Sequence, residues 1–313
     1  MNQAKVLCVG VAVLDNIFAV EQIPREPTKV FAKSFGLTGG GPAANGAVTA
    51  ARLGGAASLW ARVGDDAVGQ IIVGELAGCG VDVSLVRRIP GGRSGVSSVL
   101  IDSEGDRFIT AFADRTLQTD PSWLPLETIR DYDVVLCDVR WPAASQVVLQ
   151  AARDQGVTTV LDADLTSDDA VERLIGFADY SIFSAPALER LSGTPDFAAA
   201  LRIVQEQTSG IVGVTLGEEG FAWLAEGELR ACPAFRVATV DTLAAGDVFH
   251  GAFALAVGEG LATADAGRLA SAAAALKCTR WGGRAGIPNR TEVEQFMASS
   301  SQPVASETPI KIT

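Results

Sequence analysis

Histidine is almost missing from this chain: His250 stands alone among 313 residues. A Ser/His/Asp triad or a histidine-rich metal centre has almost no material to form, and any metal is expected on oxygen ligands. Cysteine offers no framework either. Cys8, Cys79, Cys137, Cys232 and Cys278 make an odd count with no Cys-x-x-Cys pair, which fits scattered buried thiols in a reducing cytoplasm better than disulfides or a zinc site. Positive charge is in deficit, with 25 Lys and Arg against 37 Asp and Glu and a net charge of −12. That balance argues against nucleic acid or an anionic membrane surface as the main partner. An anion bound by such a protein must be met by a few local cations. No apolar run approaches the ~20 residues a membrane span needs. Residues 1–4 carry no basic region and the apolar run after them contains Cys8 and Gly10, so a buried first strand is expected there rather than a signal peptide. No internal repeat is found.

What is present is ample apolar material, 48% of the residues, and a length that suits either two domains or one large α/β domain with an appendage. Residues 5–13 read as a buried parallel strand ending near Asp15. Residues 18–36 alternate weakly and contain Pro24 and Pro27, the pattern of short exposed strands. The glycine-rich turn at 38–41 is followed by Pro42, well placed to open a helix that runs to Arg52 and closes at Gly54 and Gly55. A strand at 56–63 and a helix at 66–79 come next, and then a hairpin at 96–101 and 107–112 around Ser103-Glu104-Gly105-Asp106. That hairpin and residues 18–36 are expected to form one small sheet covering a site.

From Asp133 onward strands at 134–139, 158–162, 180–183 and 211–216 alternate with helices at 143–155, 169–177 and 196–208. The alternation implies a mostly parallel sheet covered on both faces, with ligands beyond the carboxyl ends of the strands. A long alanine-rich helix is expected at 261–278 and a glycine-rich loop at 279–288. The strand ends are chemically loaded: Asp15, Asp138 with Arg140, Asp162 with Asp164, and Gly217. Asp15 and Asn45 with the backbone of Gly39–Gly41 could hydrogen-bond a polyol, although Asp and Asn are also ordinary turn and cap residues.

The most informative stretch is 241–257. Ala244, Ala245 and Gly246 remove side-chain bulk where an apolar helix begins, leaving backbone N–H groups that an anion can approach. Asp247 follows in the first turn, beside any phosphate held there, which is the geometry of phosphoryl transfer to an alcohol. The alternative is a carboxylate that merely complements the helix dipole. His250, among Phe249 and Phe253, reads either as a ligand contact or, preferably, as a packed core imidazole.

Gly39-Gly40-Gly41-Pro42-Ala43-Ala44-Asn45 with Gly54, and Asp241-Thr242-x-Ala-Ala245-Gly246-Asp247-x-Phe249-x-Gly251-Ala252, are similar to the two signatures of the ribokinase-like (PfkB) family of sugar kinases. The chain resembles that family over nearly its whole length. The resemblance implies an α/β, doubly wound, mostly parallel sheet with a small β lid, one kinase domain over 1–298 with its lid from about 16–37 and 94–113, and a flexible tail at 299–313. It implies ATP with Mg²⁺, a monovalent cation such as K⁺, and a homodimer through the lid. Carried over, Asp247 matches the catalytic base, and Ala244, Ala245 and Gly246 the anion hole. Asp15, Gly40, Gly41 and Asn45 match sugar-binding positions. Thr215, Gly217, Gly220, Cys278 and Gly283 match the nucleotide site, and Glu189 a magnesium contact through water. Two departures stand out: Ala244 where the family usually has glycine, and Pro186-x-x-Glu189 where it has Asn-x-x-Glu.

Within the family, 138–141, 161–164, 246–252 and 275–288 are similar to sulfofructose kinases. That implies phosphorylation of 6-deoxy-6-sulfofructose at its C1 hydroxyl. Arg140 could bind sulfonate through its planar fork and Lys29 could close from the lid as a point charge; the other readings are an ion pair for Arg140 and a solvated lysine for Lys29. A sugar phosphate would satisfy the same cations. The alternatives are a kinase for fructose, fructose or tagatose 6-phosphate or ketodeoxygluconate, and, from another class, a non-catalytic sugar or nucleotide sensor.

Overall fold

A computed structural model of the chain describes residues 3–300 apart from 105, 115, 116, 118, 119 and 167. Gly105 of the expected hairpin turn and residues 301–313 of the expected tail lie outside the described residues. The first half runs β1 (Lys5–Gly10), β2 (Val13–Ala19), β3 (Ser34–Gly40), α1 (Pro42–Arg52), β4 (Ala56–Gly64), α2 (Ala67–Gly78), β5 (Val86–Ile89), β6 (Gly95–Ile101) and β7 (Arg107–Phe112). It continues with β8 (Val134–Asp138), α3 (Pro142–Asp154), β9 (Thr158–Ala163), α4 (Ala170–Leu174), β10 (Tyr180–Ser184), α5 (Ala185–Ser192), α6 (Phe197–Gln205), β11 (Ile211–Thr215), β12 (Phe221–Ala225) and β13 (Glu228–Cys232). Helices α7 (Ala245–Gly258), α8 (Thr263–Cys278) and α9 (Arg290–Ser299) complete it.

Nine strands form the main sheet in the order β13-β12-β11-β10-β9-β8-β1-β4-β5. All neighbours pair parallel from β11 to β5, and β12 and β13 add an antiparallel edge. Successive residues of β1 point to opposite faces. Val6 and Cys8 join the apolar cluster that contains α1, α7 and α8, while Leu7 and Val9 join the one that contains α3 and α6. A strand buried on both faces has to be apolar at every position, and that is why the buried strands read as unbroken Val/Ile/Leu runs.

The second sheet has the order β3-β2-β6-β7. The single strand expected over 5–13 is in fact two. Its end is turned out of the main sheet at Val11, whose N–H donates to Asp138 Oδ2 at 2.9 Å, so Asp15 lies in the middle of β2 rather than after β1. The inner face of this small sheet carries Asp15, Ile17, Ser97, Val99 and Ile101, and Ile17, Val99 and Ile101 cluster with Leu243 of the loop before α7. The register lines up Phe35, Phe18, Leu100 and Phe108 across the other face.

Candidate active site

α1 and α7 cross where both are glycine: a Cβ on Gly251 would lie 2.5 Å from the Gly46 carbonyl oxygen and 2.7 Å from Gly46 Cα. This close approach brings together the residues one step before Gly46 and one turn before Gly251. Asn45 Nδ2 donates to Asp247 Oδ2 at 2.6 Å. The two sequence signatures, 202 residues apart, therefore meet in one hydrogen bond. On the lid side, Ser97 Oγ donates to Asp15 Oδ1 at 2.5 Å. The Asp15 carboxylate lies so close over Gly40 that a side chain at Gly40 would strike it.

The start of α7 presents unpaired backbone amides to open space. Ala244 is its N-cap and holds a left-handed conformation, φ 63° and ψ 12°, the one glycine would adopt without strain. The family departure at this position thus keeps the glycine backbone shape. The Ala245 N–H is directed at the Thr242 carbonyl at 3.2 Å, whereas the amides of Gly246 and Asp247 find no acceptor among the described residues. A Cβ on Gly246 would meet nothing within 4 Å, so this surface faces open space. The orphan amides and the dipole of a 14-residue helix favour negative charge there.

That space is a cleft of about 1290 Å³, lined by Thr215, Gly217, Gly220, Asp162, Asp164, residues 242–247, His250 and Cys278, with Arg107 and Ile109 of β7 at the lid side. It exceeds the ~300–1,000 Å³ of an ordinary small-ligand pocket. Gly220 has φ 109° and a side chain there would press on the Cys232 carbonyl, so only glycine lets the loop after β11 turn against β13. Gly283 sits behind the cleft, packed on Leu243 and Thr38. Glu189 is exposed on α5 and is not among the lining residues. Lys29 is exposed in the segment between β2 and β3 and has no ion-pair partner among the described residues. Arg140 follows β8; its N–H donates to Asp138 Oδ1 at 2.8 Å and its guanidinium pairs with Asp164 Oδ2 at 2.7 Å.

Electrostatics at the cleft floor run opposite to a simple helix-dipole argument. Burial pushes the Asp247 carboxyl above its ordinary value, while the Asn45 hydrogen bond and the nearby His250 and Arg284 pull it back. Asp247 is thereby a better proton acceptor than a solvated helix-start carboxylate. Asp162, buried where Asp247 is half-buried, is pushed up to about 7 by burial, with His250 lowering it and Asp247, Asp164 and Asp138 raising it further. His250 is buried as expected of a core imidazole, yet it is polar in its contacts: Nδ1 lies 2.8 Å from the Gly246 carbonyl and Nε2 3.2 Å from that of Ile182.

Several contacts that matter here join residues far apart in the sequence. Asp241 accepts from the N–H groups of Leu243, Gly282 and Gly283, and Lys277 Nζ lies 3.1 Å from its carboxylate with both side chains fully buried. This latch ties the loop before α7 to the glycine-rich loop after α8. Asp138 likewise accepts from Val11, Ala43 and Arg140 and fixes the base of the lid to α1. Lys277 inside an alanine-rich helix and Arg284 inside a glycine run stand out in a chain short of cations, but their partners Asp241 and Asn45 are not readable from the sequence alone.

A helix start with unpaired amides beside the Asp247 carboxylate, at the carboxyl edge of a parallel sheet and next to a smaller second sheet, fits a small-molecule phosphotransferase. The chain belongs to the pfkB family of carbohydrate kinases, whose family model matches residues 3–290, and it is an enzyme that transfers phosphate from ATP to a sugar hydroxyl. The fold is ribokinase-like. A solved structure from Agrobacterium tumefaciens, provisionally named a ribokinase, is 40% identical, with 95% of this chain and 98% of that one covered at a TM-score of 0.92. The structure of Arabidopsis thaliana ribokinase complexed with ribose and ATP is 29% identical over 96% of this chain and 100% of that one, with a TM-score of 0.82. Ribokinase of Bacillus subtilis (strain 168) is 28% identical over 93% of this chain and 99% of its own length.

Proposed function

We propose that this kinase phosphorylates an anionic ketose, 6-deoxy-6-sulfofructose, at the C1 hydroxyl to give the 1-phosphate. The observation that carries the chemistry is the Asn45–Asp247 contact of 2.6 Å beside the open amides of Gly246 and Asp247. Asp247 takes the proton of the attacking hydroxyl, and the helix-start amides hold charge on the phosphoryl group as it moves. Asp15, Asn45 and the backbone of Gly40 and Gly41 hold the sugar beneath the lid. ATP lies along Thr215, Gly217, Gly220 and Cys278. A magnesium ion accompanying ATP would be held by one or two carboxylates and would neutralise charge on the phosphates. Asp162 and Asp164, which line the cleft, fit that need better than the exposed Glu189.

The sulfonate is assigned to Arg140 and Lys29. The four stretches similar to sulfofructose kinases support it, and so does the accessibility of both cations. Arg140 is held by Asp164, but both side chains are more than a third exposed, 38% and 39%. Such a pair is worth ~0–1 kcal/mol, whereas hydrogen bonds to a charged group contribute roughly 1.5–3 kcal/mol. A sulfonate at the carboxyl end of β8 can therefore compete for the guanidinium. The names of the relatives favour a second reading, a neutral pentose, since they include ribokinases and deoxyribokinases.

An ADP-release assay over sulfofructose, fructose, fructose 6-phosphate, tagatose 6-phosphate and ribose separates these. Sulfofructose is expected to give the highest kcat/KM; ribose at the top would refute the sulfonate reading. Arg140→Ala should weaken the sulfonated sugar by about 10–100-fold, from roughly 1.5–3 kcal/mol of charged hydrogen bonds, and leave fructose unchanged. Asp247→Asn should lower kcat by about 10²–10⁴-fold.

We also propose a homodimer through the lid. Phe35 and Phe108 are 57% and 55% exposed on an apolar face that ends in the open edge strand β7, a combination that soluble proteins cover. Sedimentation of a Phe108→Asp variant tests it, with a monomer expected. The five cysteines are free thiols, which supports the cytoplasmic setting we assign to the reaction.

A further inference from the structure

Arg284 comes from the far end of the chain, in the short turn Gly283–Gly286, and its side chain is 1% exposed. Its Nε donates to Asn45 Oδ1 at 3.0 Å and its Nη2 to the Gly40 carbonyl at 3.2 Å. Nη1 lies 3.5 Å from Glu75 Oε2. A guanidinium has only donors, so it can face Asn45 only through that side chain's oxygen. The amide is thereby locked with its nitrogen toward Asp247, where it donates to Oδ2 at 2.6 Å. The flipped amide would set two donors against each other on the Arg284 side and an oxygen against a carboxylate on the other. The glycine run is shaped by the same cation: a side chain at Gly39 would overlap Nη1, as one at Gly40 would overlap Asp15.

We infer that Arg284 is a positioning residue for phosphoryl transfer: it orients Asn45, and through Asn45 it holds one oxygen of Asp247 so that the other is free for the sugar hydroxyl. This rests on Asp247 being the base. The frame that carries Arg284 is also the frame that carries Asp247, because Asp241 accepts from Gly282 and Gly283 on one side and Leu243 on the other. The base and its positioner therefore share one latch, on which the Lys277 ammonium also closes. The titratable and charged groups facing Asp247 are His250, Arg284, Asp164, Asp162 and Asp15. Arg284 is the permanent cation among them and opposes the effect of burial on the Asp247 carboxyl.

The test is a double-mutant cycle in steady-state kinetics, using ATP and whichever sugar of the panel above is turned over fastest. Arg284→Gln should lower kcat by about 10–100-fold, the worth of a hydrogen-bonded charge, and change KM for ATP by less than about twofold. In an Asn45→Ala background the same substitution should cost less than about threefold, because the group through which Arg284 acts is gone. The acid limb of the kcat profile should also move to higher pH in Arg284→Gln, since a cation beside Asp247 has been removed. If the two substitutions multiply, or if the acid limb stays in place, the positioning role is wrong. Should Arg284→Gln fail to fold, Arg284→Lys enters the same cycle; it keeps the charge but cannot span Asn45 and Gly40, so the loss should again vanish in the Asn45→Ala background, and a loss that persists there overturns the role. An active Asp247→Asn would refute the base assignment itself, whereas an inactive Asp247→Asn with a multiplicative cycle would remove Arg284 alone.

Discussion

Replacing Gly251 by alanine adds one methyl group at the α1–α7 crossing, where it would stand 2.5 Å from the Gly46 carbonyl oxygen, 2.7 Å from Gly46 Cα and 2.9 Å from Thr49 Cβ. None of these is the end of a flexible side chain, so the helices themselves must part, by about 1 Å to reach ordinary contact distance. The Asn45–Asp247 hydrogen bond of 2.6 Å spans the same pair of helices one turn away, and the same displacement stretches it to the limit of about 3.5 Å beyond which little of it survives. Overpacking costs roughly 1–3 kcal/mol, and replacing glycine within a helix returns up to about 1 kcal/mol. Net destabilisation should thus be modest, about 0–2 kcal/mol, while kcat falls at least about 10-fold, the worth of a hydrogen bond to a charged group. Thermal unfolding by circular dichroism and ADP release read the two separately. Gly74→Ala is the matched control, because a Cβ there meets nothing within 4 Å; it should stabilise by about 0.5–1 kcal/mol and leave kcat alone. Wild-type kcat in Gly251→Ala would refute the argument that the glycine crossing sets the distance between Asn45 and the base.

Ala244→Gly relieves a left-handed alanine at φ 63° and should raise stability by up to about 1 kcal/mol, read in urea; a loss of stability would mean that Ala244 is not strained. Lys277→Met leaves the buried Asp241 carboxylate without its cation and should cost about 3 kcal/mol, the lower end for a broken buried pair because three backbone N–H groups still reach Asp241. A cost below about 1 kcal/mol would show that those amides suffice. Because folding raises the Asp247 carboxyl by burial, its contribution to stability is fully present below the unfolded value of about 3.9 and is lost as pH rises through the folded value. Asp247→Asn should therefore melt higher than wild type at neutral pH, with the gap closing toward about pH 4; a gap that widens in acid would contradict the burial argument.

Local signals were legible where local physics decides. Helix α1 occupies the expected 42–52, because proline at its start and glycine past its end each constrain the backbone without help from afar. The hairpin of β6 and β7 also falls where alternation places it. The hairpin of β12 and β13 gives no local turn signal, since its turn is Glu226-Gly227 with Glu226 at φ 54° rather than an Asn-Gly pair. The short strand β5 and helix α9 carry too little periodicity to stand out, α5 spans only 8 residues, and α9 takes Ser299 into a helix where the tail was expected to begin. The break between β1 and β2 depends on Asp138, 127 residues beyond Val11, and no local pattern can announce it.

By itself the sequence determined the chemistry class: a helix start stripped of bulk with Asp247 in its first turn, glycines at 39–41, and acidic residues after the strands. Those features act through backbone conformation and the absence of side chains, which are properties of a few neighbouring residues. Only the tertiary structure decided which groups face one another. It joined Asn45 to Asp247, set Arg140 on Asp164, and buried Lys277 and Arg284 against Asp241 and Asn45. A cation's role is fixed by the partner that repays its desolvation, and here each partner comes from at least 24 residues away in the chain.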